Sequence, residues 1–255
     1  NEEGTEIKVV ITPPFWKTLW FRLLGAIVIL SLGYVLYKER FRNVRMKTEL
    51  QSAHDAQMSI MPQADPKLDN YDISGICIPA NEVGGDFFDY FWLNEEKTKF
   101  GVAVGDVSGK AMQAAMTAVM TSGMVYLKAG ETASVSEIIS RLSRPMYLKT
   151  DRKMFTALCL ASFDVPKKEM TFTNAGLIEP LLKSDHSTSF IETVGLKHPL
   201  GFGQNVTYEE KTVQLVSDDV IVLLSDGVPE ARNSSKELYG EKRLKGLVEN
   251  MDTSQ

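Results

Sequence analysis

The sequence predicts an α+β fold, an antiparallel β-sandwich flanked by helices, preceded by one transmembrane helix and a helical linker. Three observations lead there. Beyond residue 62, many short strand-like runs are joined by turns, and two helical stretches are grouped together rather than alternating with the strands. Near the N-terminus, an apolar stretch of bilayer length is followed closely by five basic residues. Between the two regions lies a polar helical segment closed by Pro62 and Pro66.

Composition sets the outer limits. At 255 residues the chain holds one large or two small domains, and a net charge of −5 argues against a general nucleic-acid binder. The two cysteines, Cys77 and Cys159, have no metal-ligand spacing and lie in apolar runs, as small buried thiols of a reducing compartment do. The chain opens on Asn1 and reads as part of something longer. Residues 1–14 hold a single strand-like run, Ile7–Ile11, closed by Thr12-Pro13-Pro14, and are read as the end of an extracytoplasmic sensor domain.

Residues 15–37 are read as the membrane span. From Leu19 to Tyr37 the only charge is Arg22, and Leu23–Leu36 has none. A bilayer requires about 20 apolar residues, and Arg22 sits near one end, where its stem can snorkel to the headgroups. Trp16, Trp20, Tyr34 and Tyr37 flank the core as interfacial anchors. A signal peptide places its basic residues before the apolar run; here Lys38, Arg40, Arg42, Arg45 and Lys47 follow it. That bias orients the C-terminal side toward the cytoplasm, as a single-pass protein of the inner (cytoplasmic) membrane. A buried core helix is the competing reading.

Residues 38–62 are read as a signalling helix and linker. Leu50, Ala53, Gln57 and Ile60 form a weak heptad-like seam, compatible with a homodimer and with two packings of similar energy. His54-Asp55 invites comparison with a histidine-kinase phosphoacceptor, but no asparagine box or glycine-rich ATP lid follows, and a solvent-facing helical histidine is the better reading.

Residues 63–255 are read as the enzyme domain. Strands are expected at Ile73–Ile78, Asp86–Leu93, Lys99–Val104, Phe155–Phe163, Met170–Thr173, Pro180–Leu182, Phe190–Thr193, Lys211–Val216 and Val220–Leu224. Met112–Lys128 is apolar all round, as a helix buried against a sheet would be; Val135–Lys149 and Lys242–Asn250 complete the helices.

Three acids stand at strand ends beside glycine: Asp86 after Gly84-Gly85, Asp106 between Gly105 and the nearby Gly109, and Asp226 before Gly227. Carboxylates delivered this way are oxygen ligands for hard divalent cations, and the turn after Asp106 exposes the carbonyl of Val107 as a further donor. An Asp in a Gly-Asp turn is by itself more often a turn former. A phosphate-binding loop at Gly109-Lys110 fails, because Ala111 replaces the hydroxyl residue and the spacing is one residue short. Gly84-Gly85-Asp86-Phe87-Phe88 is near the diguanylate cyclase pattern, but Phe87 stands where an acid belongs.

Five segments occur in an order that is more specific than any one of them. They are Ala56–Pro62, Pro79–Asp89, Gly105–Lys110, Asn174-Ala175-Gly176 and Ser225–Asn233. Together they resemble the sporulation and stress-response branch of the bacterial PPM-type serine/threonine phosphatases, and Ile11–Trp16 resembles the junction where periplasmic sensor domains enter the membrane.

The resemblance implies hydrolysis of phosphoserine or phosphothreonine in a protein substrate, with an anti-sigma-factor antagonist as the partner it points to and no nucleic acid. It implies two divalent cations, Mn²⁺ or Mg²⁺, with Asp106 bridging them, Val107 lending its carbonyl, Asp86 on one ion and Asp226 on the other; Asp106 and Asp86 are the catalytic candidates. Asp89 is a weaker candidate, as readily structural. Ala111 and Leu177 depart from the glycine and histidine usual in the family. A late pair of acids in a terminal strand does not occur before Gln255, which leaves a catalytically degenerate receptor module as the rival reading.

Overall fold

The computed structural model describes residues 14–79, 83–109, 111–185 and 187–251. The strand expected at Ile7–Ile11 lies outside the described residues, as do Ala80–Glu82 and Lys110 of the motifs. The chain divides into two compact units, residues 1–49 and 50–255.

The first unit is dominated by helix α1, Leu19–Ile60, which runs 42 residues without a break and whose C-terminal turns belong to the second unit. At a rise of about 1.5 Å per residue, its apolar N-terminal part is long enough to cross a bilayer. Leu23, Ile27, Leu30, Tyr34 and Tyr37 are all exposed there, as lipid-facing side chains would be. The apolar span and the polar segment that the sequence reads as its continuation form one helix. It ends at Ile60, two residues before Pro62.

The second unit is a four-layer sandwich. Strands β1 (Phe87–Trp92) and β2 (Lys99–Val107) form a hairpin. Its loop is held by Asn94, whose Oδ1 accepts from the amides of Thr98 and Lys99. Helices α2 (Ala111–Ala129) and α3 (Val135–Lys149) follow in succession. Ser134 caps α3 by accepting from the Glu137 amide, and its Ser-x-x-Glu spacing is that of a capping box. Then come β3 (Thr156–Asp164), β4 (Glu169–Ala175), β5 (Leu181–Ser184), β6 (Ser187–Phe190), β7 (Lys211–Gln214), β8 (Val220–Val222) and α4 (Glu241–Glu249).

The larger sheet has the order β1-β2-β3-β4-β7 and the smaller β6-β5-β8, with antiparallel pairing throughout. Period-two alternation separates the faces of the larger sheet. Phe87, Phe91, Ala103, Val107, Leu158 and Leu160 pack with Ile138, Leu142 and Met146 of α3. Cys159, Ala161 and Phe172 point the other way and meet Leu177, Ile191, Ile221 and Leu223 from the side of the smaller sheet. Leu244 and Val248 of α4 cover that sheet's outer face through Leu181 and Val222. The layers run α2/α3, larger sheet, smaller sheet, α4.

Two expectations need correction. The run Ile73–Ile78 is extended and alternates, with Cys77 partly buried and Ile76 and Ile78 exposed, yet it joins no ladder among the described residues. Alternation gives a strand its faces but not its neighbour. Helix α2 is not buried all round: Val125 is enclosed, whereas Met116, Tyr126 and Leu127 are exposed, because only one side meets the sheet.

Candidate metal centre

The site begins with strand register. Phe87 of β1 faces Gly105 of β2, so one step outward Asp86 stands opposite Asp106. The ladder continues there, because the Val107 amide donates to the Gly85 carbonyl at 3.2 Å. This approach requires glycine: a Cβ on Gly85 would lie 2.3 Å from the Val107 oxygen. The Gly-Gly before Asp86 is therefore what allows two like-charged side chains to be held across from each other, an arrangement that costs free energy in an ordinary sheet.

The third acid comes from the smaller sheet. Ser225-Asp226-Gly227 follows β8, and a Cβ on Gly227 would sit 4.0 Å from Asp86 Oδ2. The Glu230 amide donates to the Asp226 carbonyl at 2.9 Å, folding the segment into a turn.

The electrostatics follow from that crowding. Burial pushes the Asp106 carboxyl up to about 7, helped by the charges of Asp86 and Asp226, by a hydrogen bond with Asp86 and by the charge of Glu230. Burial raises Asp86 too, offset by a hydrogen bond from Ser225 and reinforced by Asp226. The hydrogen bond between the two carboxyls raises Asp106 and lowers Asp86. A raised carboxylate cluster is electrostatically unsatisfied, and a cation relieves it.

The donors suit a hard ion: carboxylate oxygens and, on the same turn, the Val107 carbonyl. Among the described residues no three Asp, Glu, His or Cys side chains close into a cage. Two carboxylates in contact and a third within electrostatic reach nevertheless fit a cation such as Mg²⁺, which keeps several of its waters and takes few carboxylates. Cys77 is close, its Sγ 3.7 Å from the Asp86 carbonyl, but burial followed by the Asp86 charge raises its thiol to about 11. It is neither thiolate ligand nor nucleophile. Cys159, fully buried, is raised to about 12.

Asp89 stands apart. It lies on the helix-facing side of β1, where it accepts from Ser122 Oγ of α2 at 3.0 Å and from the Tyr90 amide at 2.8 Å. Asn174 is also architectural: its Oδ1 accepts from the Leu177 amide and its Nδ2 donates to the Leu177 carbonyl, pinning the Asn-Ala-Gly turn with Leu177 buried.

Sequence reasoning missed three residues. Ser225 is adjacent to Asp226 and was a readable candidate. Glu230 was hidden, because its approach depends on how the turn folds. Gln57, counted in a seam, is buried and donates to the Gly84 carbonyl at 2.8 Å while accepting from the Gly84 amide at 3.3 Å. It fastens the last turns of α1 to the Gly84-Gly85-Asp86 segment.

Two packed antiparallel sheets between helices, with acids gathered at one end of the sandwich, are the fold of PP2C phosphatase domains. The chain belongs to the SpoIIE family: the family model described as Stage II sporulation protein E (SpoIIE) matches residues 96–255. The relative named phosphoserine phosphatase RsbU from Bacillus subtilis (strain 168) is 25% identical over 239 residues, covering 92% of this chain and 70% of the relative. Protein IcfG of Synechocystis sp. is also 25% identical, over 78% of this chain, which spans only 35% of its length. Among solved structures, the SiaA-PP2C domain of Pseudomonas aeruginosa superposes with a TM-score of 0.69 at 18% identity, covering 83% of this chain and 85% of that one. The PP2C phosphatase domain of SpoIIE from Bacillus subtilis gives 0.56 at 18% identity over 67% and 49%.

Proposed function

We propose that this chain is a membrane-tethered, metal-dependent phosphatase that removes phosphate from phosphoserine or phosphothreonine in a protein substrate. The single observation that carries the reading is the Asp86–Asp106 pair, held face to face by the β1–β2 register with Asp226 brought up from the other sheet. Two Mn²⁺ or Mg²⁺ ions, when bound, supply an activated water and neutralise charge on the phosphoryl oxygens. Asp106, Asp86 and Asp226, with the Val107 carbonyl, would hold the ions, Asp106 being the ligand the two would share by resemblance. The chain's own residues do the positioning. Gly85 lets the strands close, Ser225 orients the Asp86 carboxyl, and Glu230 adds negative charge that draws cations in.

The domain division follows the sequence reading: residues 1–14 from an extracytoplasmic sensor, 15–37 across the membrane, 38–62 as signalling helix and 63–255 as the phosphatase. The names of the matched family and relative support a phosphoserine-bearing partner and sporulation signalling. The anti-sigma-factor antagonist comes from the family resemblance, and the homodimer at the inner membrane from the helix seam and the apolar span of the sequence.

The test of the chemistry is Mn²⁺-dependent release of phosphate from an aryl phosphate. Asp106→Asn is expected to lower turnover by at least about 10²-fold, the scale seen when one electrostatic group of a site is lost. Full activity in that variant would refute the assignment, and no activity in the parent would favour the degenerate receptor. For orientation, a membrane-impermeant thiol reagent applied to intact cells is expected to label Thr5→Cys but not Ser184→Cys; the opposite pattern reverses the topology.

A further inference from the structure

The residues on the far side of the Asp106 turn form a surface that the hydrolytic chemistry does not use. Ser108, two residues past Asp106, is locked to Phe155: its amide donates to the Phe155 carbonyl at 2.9 Å, and its Oγ accepts from the Phe155 amide at 2.8 Å. At a strand rise of about 3.3 Å per residue, Phe155 is thereby fixed about 7 Å along the backbone from the Asp106 position. The backbone leading to a second aromatic, Phe202, whose ring stacks on His198 with centroids 4.5 Å apart, is brought close to it. Thr156 and Leu200 exchange backbone hydrogen bonds at 2.9 Å. Gly201 packs so closely that a Cβ there would be 3.0 Å from the Met154 carbonyl and 3.6 Å from Phe155 Cα. Phe202 leaves from that contact with 64% of its surface exposed, and Phe155 is 48% exposed. Large aromatics held by rigid backbone yet open to water mark a recognition surface.

Its charge is opposite to that of the site. In a chain of net charge −5, residues 149–153 carry Lys149, Arg152 and Lys153, all exposed, against one acid, Asp151. Asp151 is partly occupied locally, accepting from the Lys153 amide at 3.1 Å.

We propose that Phe155, Phe202, Arg152 and Lys153 form a docking surface for the phosphoprotein substrate. It takes the residues that flank the phosphoserine or phosphothreonine and selects apolar and acidic ones. Cations beside the turn attract acidic flanks, while the aromatics cover an apolar residue near the phosphate. Discrimination then resides in substrate affinity and not in the chemical step. This rests on the phosphatase reading and specifies which sequences that site accepts.

The experiment measures steady-state kinetics of the full chain in detergent with Mn²⁺ on three substrates. They are an aryl phosphate, a phosphoserine peptide flanked by Asp and Leu, and one flanked by Lys and Ser. The parent is expected to prefer the Asp/Leu peptide by about tenfold in kcat/KM, through KM, equivalent to about 1.4 kcal/mol. The charge-reversed R152E/K153E is expected to lose or invert that preference, and F155A/F202A to raise KM for the Asp/Leu peptide. Both should leave aryl phosphate hydrolysis unchanged, which also shows that they fold. A parent without preference, or variants that retain it, would overturn the docking surface alone. A parent that turns over no substrate would overturn the phosphatase reading and the docking surface with it.

Discussion

The two sheets that supply the site are built differently. In the larger sheet, β2 and β3 pair over nine consecutive residues, Lys99–Val107 against Thr156–Asp164, with helices on one face and the smaller sheet on the other. In the smaller sheet the pairings are three or four residues long, and β8 has one ladder neighbour among the described residues. Asp86 and Asp106 belong to the first kind of structure and Asp226 to the second. The close pair is thus fixed by register, whereas the third acid is held by a turn closed by the Glu230 amide on the Asp226 carbonyl. A site assembled this way has one half set by strand register and one half set by a turn.

The sharpest way to break the comparison is to attack the half set by register. Gly85→Ala places a methyl group 2.3 Å from the Val107 carbonyl oxygen, against backbone that cannot swing aside. Overpacking costs about 1–3 kcal/mol, and losing the Gly85–Val107 ladder bond costs about 1 kcal/mol more. For a domain of this size that is a fall in Tm of roughly 4–16 °C, at about 2–4 °C per kcal/mol. Turnover should drop with it, since Asp86 no longer faces Asp106. Calorimetry and the aryl phosphate assay read both effects; a variant with parental Tm and rate would show that register does not set the site.

The legible part of the molecule divides along the same line. Regular periodicity found β1 to β4, α2 and α3 because long ladders and buried helices leave long patterns: Val135–Lys149 is the helix the spacing predicts. Glycine beside aspartate singled out Asp86, Asp106 and Asp226, and at Gly85 the close approach of the Val107 backbone shows why glycine is needed. What stayed hidden was pairing. Ile76 and Ile78 alternate like strand residues, yet sequence carries no information on whether a neighbour is present to complete the ladder. Gln57 has the spacing of a seam residue, and only the fold shows that its amide is used on Gly84. The carboxylate pair could be listed residue by residue from the sequence, but the hydrogen bond between its members depends on a cross-strand register no motif encodes.

That pair supplies the finest test, because it separates two half-buried aspartates on the paired strands of one hairpin, Asp106 of β2 and Asp89 of β1. In metal-free protein, Asp106 is raised toward about 7 by burial and by its acidic neighbours. A carboxyl whose folded pKa lies above its unfolded value binds more protons folded than unfolded across the interval between them. Stability therefore falls as pH rises from about 4 to about 7, the reverse of an ion-paired carboxylate. Asp106→Asn removes that titration and should flatten the slope of Tm against pH in EDTA, raising Tm at pH 7 above the parent. Mn²⁺ should restore the parent and do little for the variant. Asp89 is raised as well, by burial, but its carboxylate is satisfied by Ser122 and the Tyr90 amide. Asp89→Asn keeps an oxygen acceptor at that position, so it should cost no more than about 1 kcal/mol, the net value of one hydrogen bond, and leave the Mn²⁺ response intact. Loss of the Mn²⁺-dependent rise in Tm on Asp89→Asn, with retention on Asp106→Asn, would move the cation from the sheet-facing side of the hairpin to its helix-facing side.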